Sequence, residues 1–112
     1  MKSVSKEDLV PLLKVIEELE AFLESLGLKQ MPYFVRFLDR MKYNLMTCIT
    51  IGYLEWENID VTLKRDWKEA NDTFLGIPDF DMPGRTPDEK IERTFRFFKY
   101  VKTIDAIVTG EK

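Results

Sequence analysis

The sequence predicts an all-α fold, an antiparallel up-down four-helix bundle that forms a single helical domain over residues 1–112. The first observation is a ladder of apolar residues that advances by three and four, which places one continuous stripe along a helix. Its members are Leu9, Leu12, Ile16, Leu19, Leu23 and Leu26. Comparable ladders fill most of the remaining chain, and a length of 112 residues suits one hydrophobic core.

The first helix is expected over about residues 6–26, beginning between Ser5 and Asp8. Asp8 is the better N-cap because it places Pro11 in the first turn, where the missing N–H of a proline does no harm. Gly27 is expected to end this helix, since glycine adopts positive φ without steric strain.

The region after Pro32 carries an apolar ladder with a mean step near the helical period of about 3.6 residues. We interpret it as two helices, residues 32–54 and 58–75, with a break near Glu55 to Asn58, where the sign of the charge changes and Asn58 can cap a helix. One fused long helix is the second interpretation. A β-hairpin is the third, because β-branched residues flank Glu57 and Asn58.

Residues 75–87 contain three of the five prolines and two of the five glycines, which predicts a loop. Apolar side chains at Ile77, Phe80 and Met82 indicate a segment anchored across the end of the bundle, although a loop of this length is also a candidate binding loop. Its Asp79 and Asp81 do not fit a calcium loop, because later ligand positions lack carboxylates. Thr86-Pro87 then opens the last helix, expected over residues 87–108.

Charge alternates along the chain, although the net charge is only −3. Residues 1–28 carry −3, residues 29–54 carry +3, residues 55–81 carry −5 and residues 82–112 carry +2. Successive antiparallel helices therefore present opposite signs to each other, which favours the up-down pairing.

The residues needed for most enzymatic mechanisms are missing. The sequence has no histidine, and none of its three serines lies in a nucleophile elbow. Carboxylates remain, with Glu17, Glu20 and Glu24 on one helix face and Glu57 three residues before Asp60. This set resembles the helical nucleotide pyrophosphohydrolases of the MazG type, and the resemblance implies magnesium-dependent nucleotide hydrolysis. The sequence departs from that family's E-E-x-x-E motif at Ala21, where the third acid would stand.

The last helix interleaves basic and aromatic residues. Arg93 and Arg96, joined by Arg36 and Arg40 of the second helix, form a candidate basic patch, and nucleic-acid association is one alternative function. A sequence pI near 5.1 argues against a dedicated nucleic-acid binder. The helix needs an inward stripe, for which we expect five residues: Ile91, Phe95, Phe98, Val101 and Val108.

Apolar residues remain on the second and fourth helices after one inward stripe is assigned to each. They predict an interaction surface made of Ile49, Tyr53, Phe97, Tyr100, Ile104 and Ile107. Such a surplus is typical of a protein-binding face, and a twofold homodimer is the expected partner arrangement. The expected function is a non-enzymatic protein–protein interaction module, such as a small regulatory subunit, adaptor or immunity-type protein.

The sequence predicts no cofactor and no metal site. Residues 1–8 lack the apolar segment of a secretory signal, and residues 43–54, the longest uncharged run, are too few to span a bilayer. A single cysteine, Cys48, within that run indicates a buried thiol. We therefore expect a cytoplasmic protein with no membrane association.

Overall fold

The computed structural model describes residues 4–54 and 56–110, in which four α-helices pack against one another. They are α1 (Leu9–Ser25), α2 (Val35–Thr50), α3 (Trp56–Ala70) and α4 (Pro87–Thr109). A 3-10 turn at Lys6–Asp8 leads into α1, and another at Ile77–Asp79 lies between α3 and α4. The described residues contain no strand, and the predicted four-helix bundle is confirmed.

The helices form a ring in which each packs against the two that neighbour it. α1 contacts α2 and α4, while α3 contacts the same two helices from the opposite side of the bundle. α2 and α4 therefore lie diagonally across the core, as do α1 and α3. Just before α2, the Phe34 ring lies 6.0 Å from the ring of Phe97 on α4.

The break between α2 and α3 confirms the two-helix interpretation, but it lies slightly earlier than predicted. α2 ends at Thr50 because Gly52 and Tyr53 adopt φ angles of +74° and +67°, which no α-helix accommodates. Tyr53 N–H donates to the Cys48 carbonyl across this turn at 2.9 Å. The long fused helix and the β-hairpin are both wrong, and Glu55 lies outside the described residues.

Two predicted helix ends are confirmed in atomic detail. Gly27 follows α1 with φ of +69°, the left-handed conformation expected of a terminating glycine. Thr86 caps α4, since its Oγ1 accepts the Glu89 N–H at 3.1 Å, and the Glu89 carboxylate accepts the Arg85 N–H at 3.0 Å.

The other boundaries differ from the predicted ones by a few residues. α2 begins at Val35, three residues after Pro32. α3 ends at Ala70 rather than near residue 75, because the Asn71 side chain donates to the Trp67 carbonyl and the chain then turns at Asp72.

The inward stripe predicted for α4 is wrong for three of its five residues. Val101 and Val108 are buried as expected, but Ile91, Phe95 and Phe98 are exposed. The residues that fill the core are instead those predicted to be surplus. These are Phe97, Ile104 and Ile107. Phe97 fixes this orientation because its ring lies within 6.0 Å of both Phe34 and Phe80.

Candidate interaction surface

α4 projects past the end of α3, because the two helices differ in length. α4 has 23 residues and α3 has 15, so α4 is longer by about 12 Å at the α-helical rise of about 1.5 Å per residue. Trp67, three residues before the end of α3, donates its indole N–H to the Asp105 carboxylate at 2.9 Å. Because the two helices are antiparallel, α3 ends near the level of Lys102. The first half of α4 therefore extends beyond the end of α3.

The side of α4 that meets α3 continues along this projecting half. Asp105, Phe98 and Ile91 are spaced by seven residues, about two helical turns, and so lie on one side of the helix. At Asp105 that side contacts Trp67 of α3, whereas at Phe98 and Ile91 it has passed the end of α3. Phe98 is 46% exposed, Ile91 66% and the adjacent Phe95 76%.

These residues lie on one face of α4 and border a shallow, open site of about 880 Å³, which we call the α4 groove. Its apolar floor consists of Ile91, Phe95 and Phe98, with Thr94 between them. Three lysines form its rim: Lys90, Lys99 and Lys102. Exposed apolar side chains surrounded by charged ones are typical of a protein-binding surface rather than of a solvated helix face.

The opposite side of the projecting half is covered by the segment that precedes it. Phe80 packs on Phe97 with ring centroids 5.3 Å apart, and Met82 is buried. Arg93 donates to the Pro83 carbonyl at 2.9 Å. The role predicted for Phe80 and Met82, that of anchoring this loop across the bundle end, agrees with these contacts. The loop therefore stabilises the projecting half without covering the α4 groove.

The residues of the interaction surface expected from the sequence lie mainly inside the bundle. Phe97, Ile104 and Ile107 are buried in the core. Tyr100 is half-buried, with its ring 5.9 Å from that of Phe22 on α1. On the α2 side, Ile49 and Tyr53 are half-buried against the core, and the Lys6 ammonium lies 5.0 Å from the Tyr53 ring.

The four arginines of the candidate basic patch are distributed over three sides of the bundle. Arg36 and Arg40 stack on rings of their own region, with guanidinium carbons 3.9 Å from the Tyr33 ring and 5.6 Å from the Phe37 ring. On α4, Arg93 contacts the preceding loop, and Arg96 lies 5.1 Å from the Phe22 ring of α1. Since α2 and α4 are diagonal, their outer faces turn away from each other, and the four side chains do not form one patch.

Glu20 is a buried carboxylate between α1 and α2. Its Oε1 accepts a hydrogen bond from the Lys42 ammonium at 2.7 Å. Its Oε2 has no hydrogen-bond partner among the described residues. Burial, together with the nearby Asp39 carboxylate, raises the pKa of Glu20 from its usual 4.5 to about 7. Lys42 opposes this rise only in part, and its own pKa is raised by the hydrogen bond to Glu20.

Asp66 is a second buried carboxylate, on α3, and neither of its oxygens accepts a hydrogen bond from the described residues. Burial raises its pKa, and the positive charges of Arg65 and Arg40 offset only part of the rise. Arg65 Nε lies 3.9 Å from the carboxylate, beyond hydrogen-bonding distance.

The other carboxylates noted in the sequence do not converge with these. Glu17, Glu24 and Glu57 are exposed. Asp60 accepts the Val4 N–H at 2.8 Å and the Lys64 ammonium at 2.7 Å, which ties the N-terminal segment to α3. Within residues 4–54 and 56–110, no three histidine, cysteine or acidic residues group closely enough to hold a metal ion.

The face that sequence reasoning misassigned carries a signal of its exposure. The stripe through Ile91 and Phe98 continues by the same step of seven to Asp105 and passes beside Lys102. The charged residues Lys102 and Asp105 indicate that this stripe faces solvent rather than the core. Comparing the predicted lengths of the third and fourth helices would also have shown the projection, but the third was predicted three residues too long.

The chain matches no protein-family model, no curated protein and no solved structure. None of the helices in the described part of the chain combines the length and apolar character needed to cross a bilayer. The class of protein is therefore defined by the fold and the exposed groove alone: a four-helix bundle in which α4 carries an uncovered apolar face.

Proposed function

We propose that this chain is a non-enzymatic protein–protein interaction module that acts in the cytoplasm by binding another protein through the α4 groove. A small regulatory subunit, an adaptor and an immunity-type protein all act in this way. The observation that carries the proposal is the exposure of Ile91, Phe95 and Phe98 on one helix face. Aromatic side chains in such a position contribute strongly to binding when a partner covers them.

The rigidity of the groove also supports the proposal. The projecting half of α4 is fixed by the Thr86 cap and by the contacts of Phe80 and Arg93, so its apolar side chains are presented on an ordered helix. A surface that is ordered before binding loses less conformational entropy when a partner binds.

Nucleic-acid association is a second candidate, favoured by the position of Phe95 and Phe98 beside Lys99 and Lys102. Exposed aromatic rings beside basic side chains are the platform on which single-stranded bases stack. The first proposal is preferred because the groove is lined mainly by apolar atoms, and because the net charge of −3 opposes the approach of a polyanion.

Photo-cross-linking in the native cell distinguishes the two candidates. A photoreactive p-benzoylphenylalanine is placed at position 95 and, as a matched control, at position 61, where Val61 is an exposed apolar residue of α3. We expect ultraviolet-dependent protein adducts from position 95 in clear excess over position 61, and their loss when Phe98→Asp is added.

Adducts that are equally abundant at both positions would reject the proposal. Nuclease-sensitive adducts at position 95 that contain no second protein would replace it with nucleic-acid association. The hydrolase alternative is tested by assaying the purified chain for Mg²⁺-dependent nucleotide hydrolysis. Asp60→Asn is the control variant.

A further inference from the structure

A second exposed apolar feature lies in the loop that follows α3. Phe74 is 81% exposed and Leu75 is 53% exposed, in a segment that we call the 72–79 loop. α3 ends at Ala70, where the uncovered length of α4 begins, so the loop and the α4 groove are at the same end of the molecule. The loop does not line its own groove.

The backbone of the 72–79 loop is tightly closed at its base. A Cβ at Gly76 would come within 2.2 Å of the Asp72 carbonyl oxygen and 2.8 Å of the Ala70 carbonyl oxygen, so only glycine fits there. Leu75 has a φ of +64°, an uncommon conformation for a residue with a side chain. This geometry places Phe74 and Leu75 at the tip of a reversal rather than against the bundle.

Two aspartates flank these apolar residues and hold the tip. Asp72 accepts the Phe74 N–H at 2.9 Å, and Asp79 accepts the Leu75 N–H at 3.3 Å. The tip is therefore an apolar pair between two carboxylates. The α4 groove is an apolar floor between lysines, of which Lys99 and Lys102 make no ion pair within the described residues. The two surfaces are complementary in both apolar character and charge.

We propose that the 72–79 loop of a second copy of this chain docks in the α4 groove, with Phe74 and Leu75 on the apolar floor and the aspartates beside Lys99 and Lys102. This inference rests on the proposed function, since it names the partner of the same groove. Because the loop and groove share one end of each molecule, a twofold axis places each loop in the other copy's groove.

The contact is small, and interfaces that bury less than about 1,200 Å² are weak and transient. The test is therefore sedimentation velocity of the purified full chain over a wide concentration range, from about 1 μM to 1 mM. We expect a monomer–dimer equilibrium that weakens as the salt concentration rises. Phe74→Asp and Phe95→Asp should each raise the dimer dissociation constant at least tenfold, whereas Leu54→Asp, at an equally exposed apolar residue, should leave it unchanged.

Mixing the two disrupted variants gives the decisive measurement. The Phe74→Asp chain keeps an intact groove, and the Phe95→Asp chain keeps an intact loop, so a heterodimer retains one of the two loop–groove contacts while neither homodimer retains any. The equimolar mixture should therefore associate more tightly than either variant alone. Circular dichroism of each variant confirms that both remain folded, as expected for exposed positions.

Three results would overturn the inference. If Phe95→Asp disrupts the dimer but Phe74→Asp does not, the groove binds protein through another segment. If the mixture associates no better than its components, the reciprocal contact is absent. If the wild-type chain is monomeric at every concentration, a second copy is not the partner. In that last case protein adducts from position 95 in cells would preserve the proposed function, and their absence would reject both.

Discussion

Two faces of α4 have similar apolar content but opposite environments. On the inward face, Val101, Ile104 and Val108 are buried in the core. On the outward face, Ile91 and Phe95 are exposed although they are as apolar as the residues of the inward face. The difference is one of direction around the helix: at about 100° per residue, Ile91 and Phe95 point away from the core side, whereas Phe97, in the same half of α4, points into the core and is buried.

This contrast shows that a helix's apolar pattern alone does not determine which of its faces is buried. Burial also requires a neighbouring helix at the same height in the bundle. On the first half of α4, the loop containing Phe80 and Met82 covers one side. No described residue covers the side that carries Ile91 and Phe95. The exposed apolar surface therefore lies on a helix face that points away from the core, beside a neighbouring helix that ends early.

The largest expected effect on stability is the difference between truncating a buried and an exposed phenylalanine of α4. Phe97→Ala should lower the free energy of unfolding by about 3–5 kcal/mol, because the 1%-exposed ring leaves a cavity among Phe34, Phe80 and Phe98. Phe95→Ala should change it by less than about 0.5 kcal/mol, since the ring is already in solvent. Urea denaturation at a protein concentration below dimerisation measures both.

The two variants carry the same substitution on one helix, two residues apart, so helix propensity and side-chain type are matched. Comparable losses of stability would mean that Phe95 is covered in solution and that the two faces do not differ. In that event the groove would be part of the core, and the proposed function would lose its main support.

Much of the fold could be predicted because it follows from local chemistry. The leucine ladder of α1, the termination at Gly27 and the Thr86 cap each depend on residues within a few positions of one another. The number of helices and their up-down order followed from these signals. The break between α2 and α3 was predicted close to its true place, although the role of Gly52 was missed because it also fits the apolar ladder.

The interaction surface was assigned to the wrong face because the orientation of α4 depends on contacts between residues that are distant in sequence. A helical ladder through Ile91, Phe95 and Phe98 and one through Phe97, Ile104 and Val108 are both acceptable inward stripes when α4 is considered alone. The choice is made by Phe97 packing on Phe34 and Phe80, which are distant in sequence. No short-range signal encodes that contact.

A substitution at Glu20 should change the stability of the bundle without altering α4. The folded state holds a proton on Glu20 up to a pKa of about 7, whereas the unfolded chain releases it near 4.5, so stability falls as the pH rises through this interval. Glu20→Gln removes this loss. We expect the variant to be more stable than wild type by about 1–2 kcal/mol at pH 8 and nearly equal to it at pH 5.

Thermal melts at several pH values measure the effect, with the exposed Glu17→Gln as a matched control that should show no such pH dependence. The groups that face Glu20 are Asp39 and Lys42, and both remain in the variant. A stabilisation that is equal at pH 5 and pH 8 would show that ionisation of Glu20 is not its cause. The free energies of unfolding of Phe97→Ala and Phe95→Ala should differ by the same amount at both pH values, because neither ring contacts the cluster of Glu20, Asp39 and Lys42.

The smallest effect tests whether the projecting half of α4 is held by its own local contacts. Thr86→Ala removes the hydroxyl that accepts the Glu89 N–H and should cost about 1 kcal/mol, whereas Thr86→Ser keeps the acceptor and should cost little. Amide hydrogen exchange should show the loss of protection in residues 89–95 and not around Ile104, because fraying of a helix end does not require the core to open. Equal loss along the whole helix would mean that α4 opens as one unit, and the groove would then depend on the core for its shape.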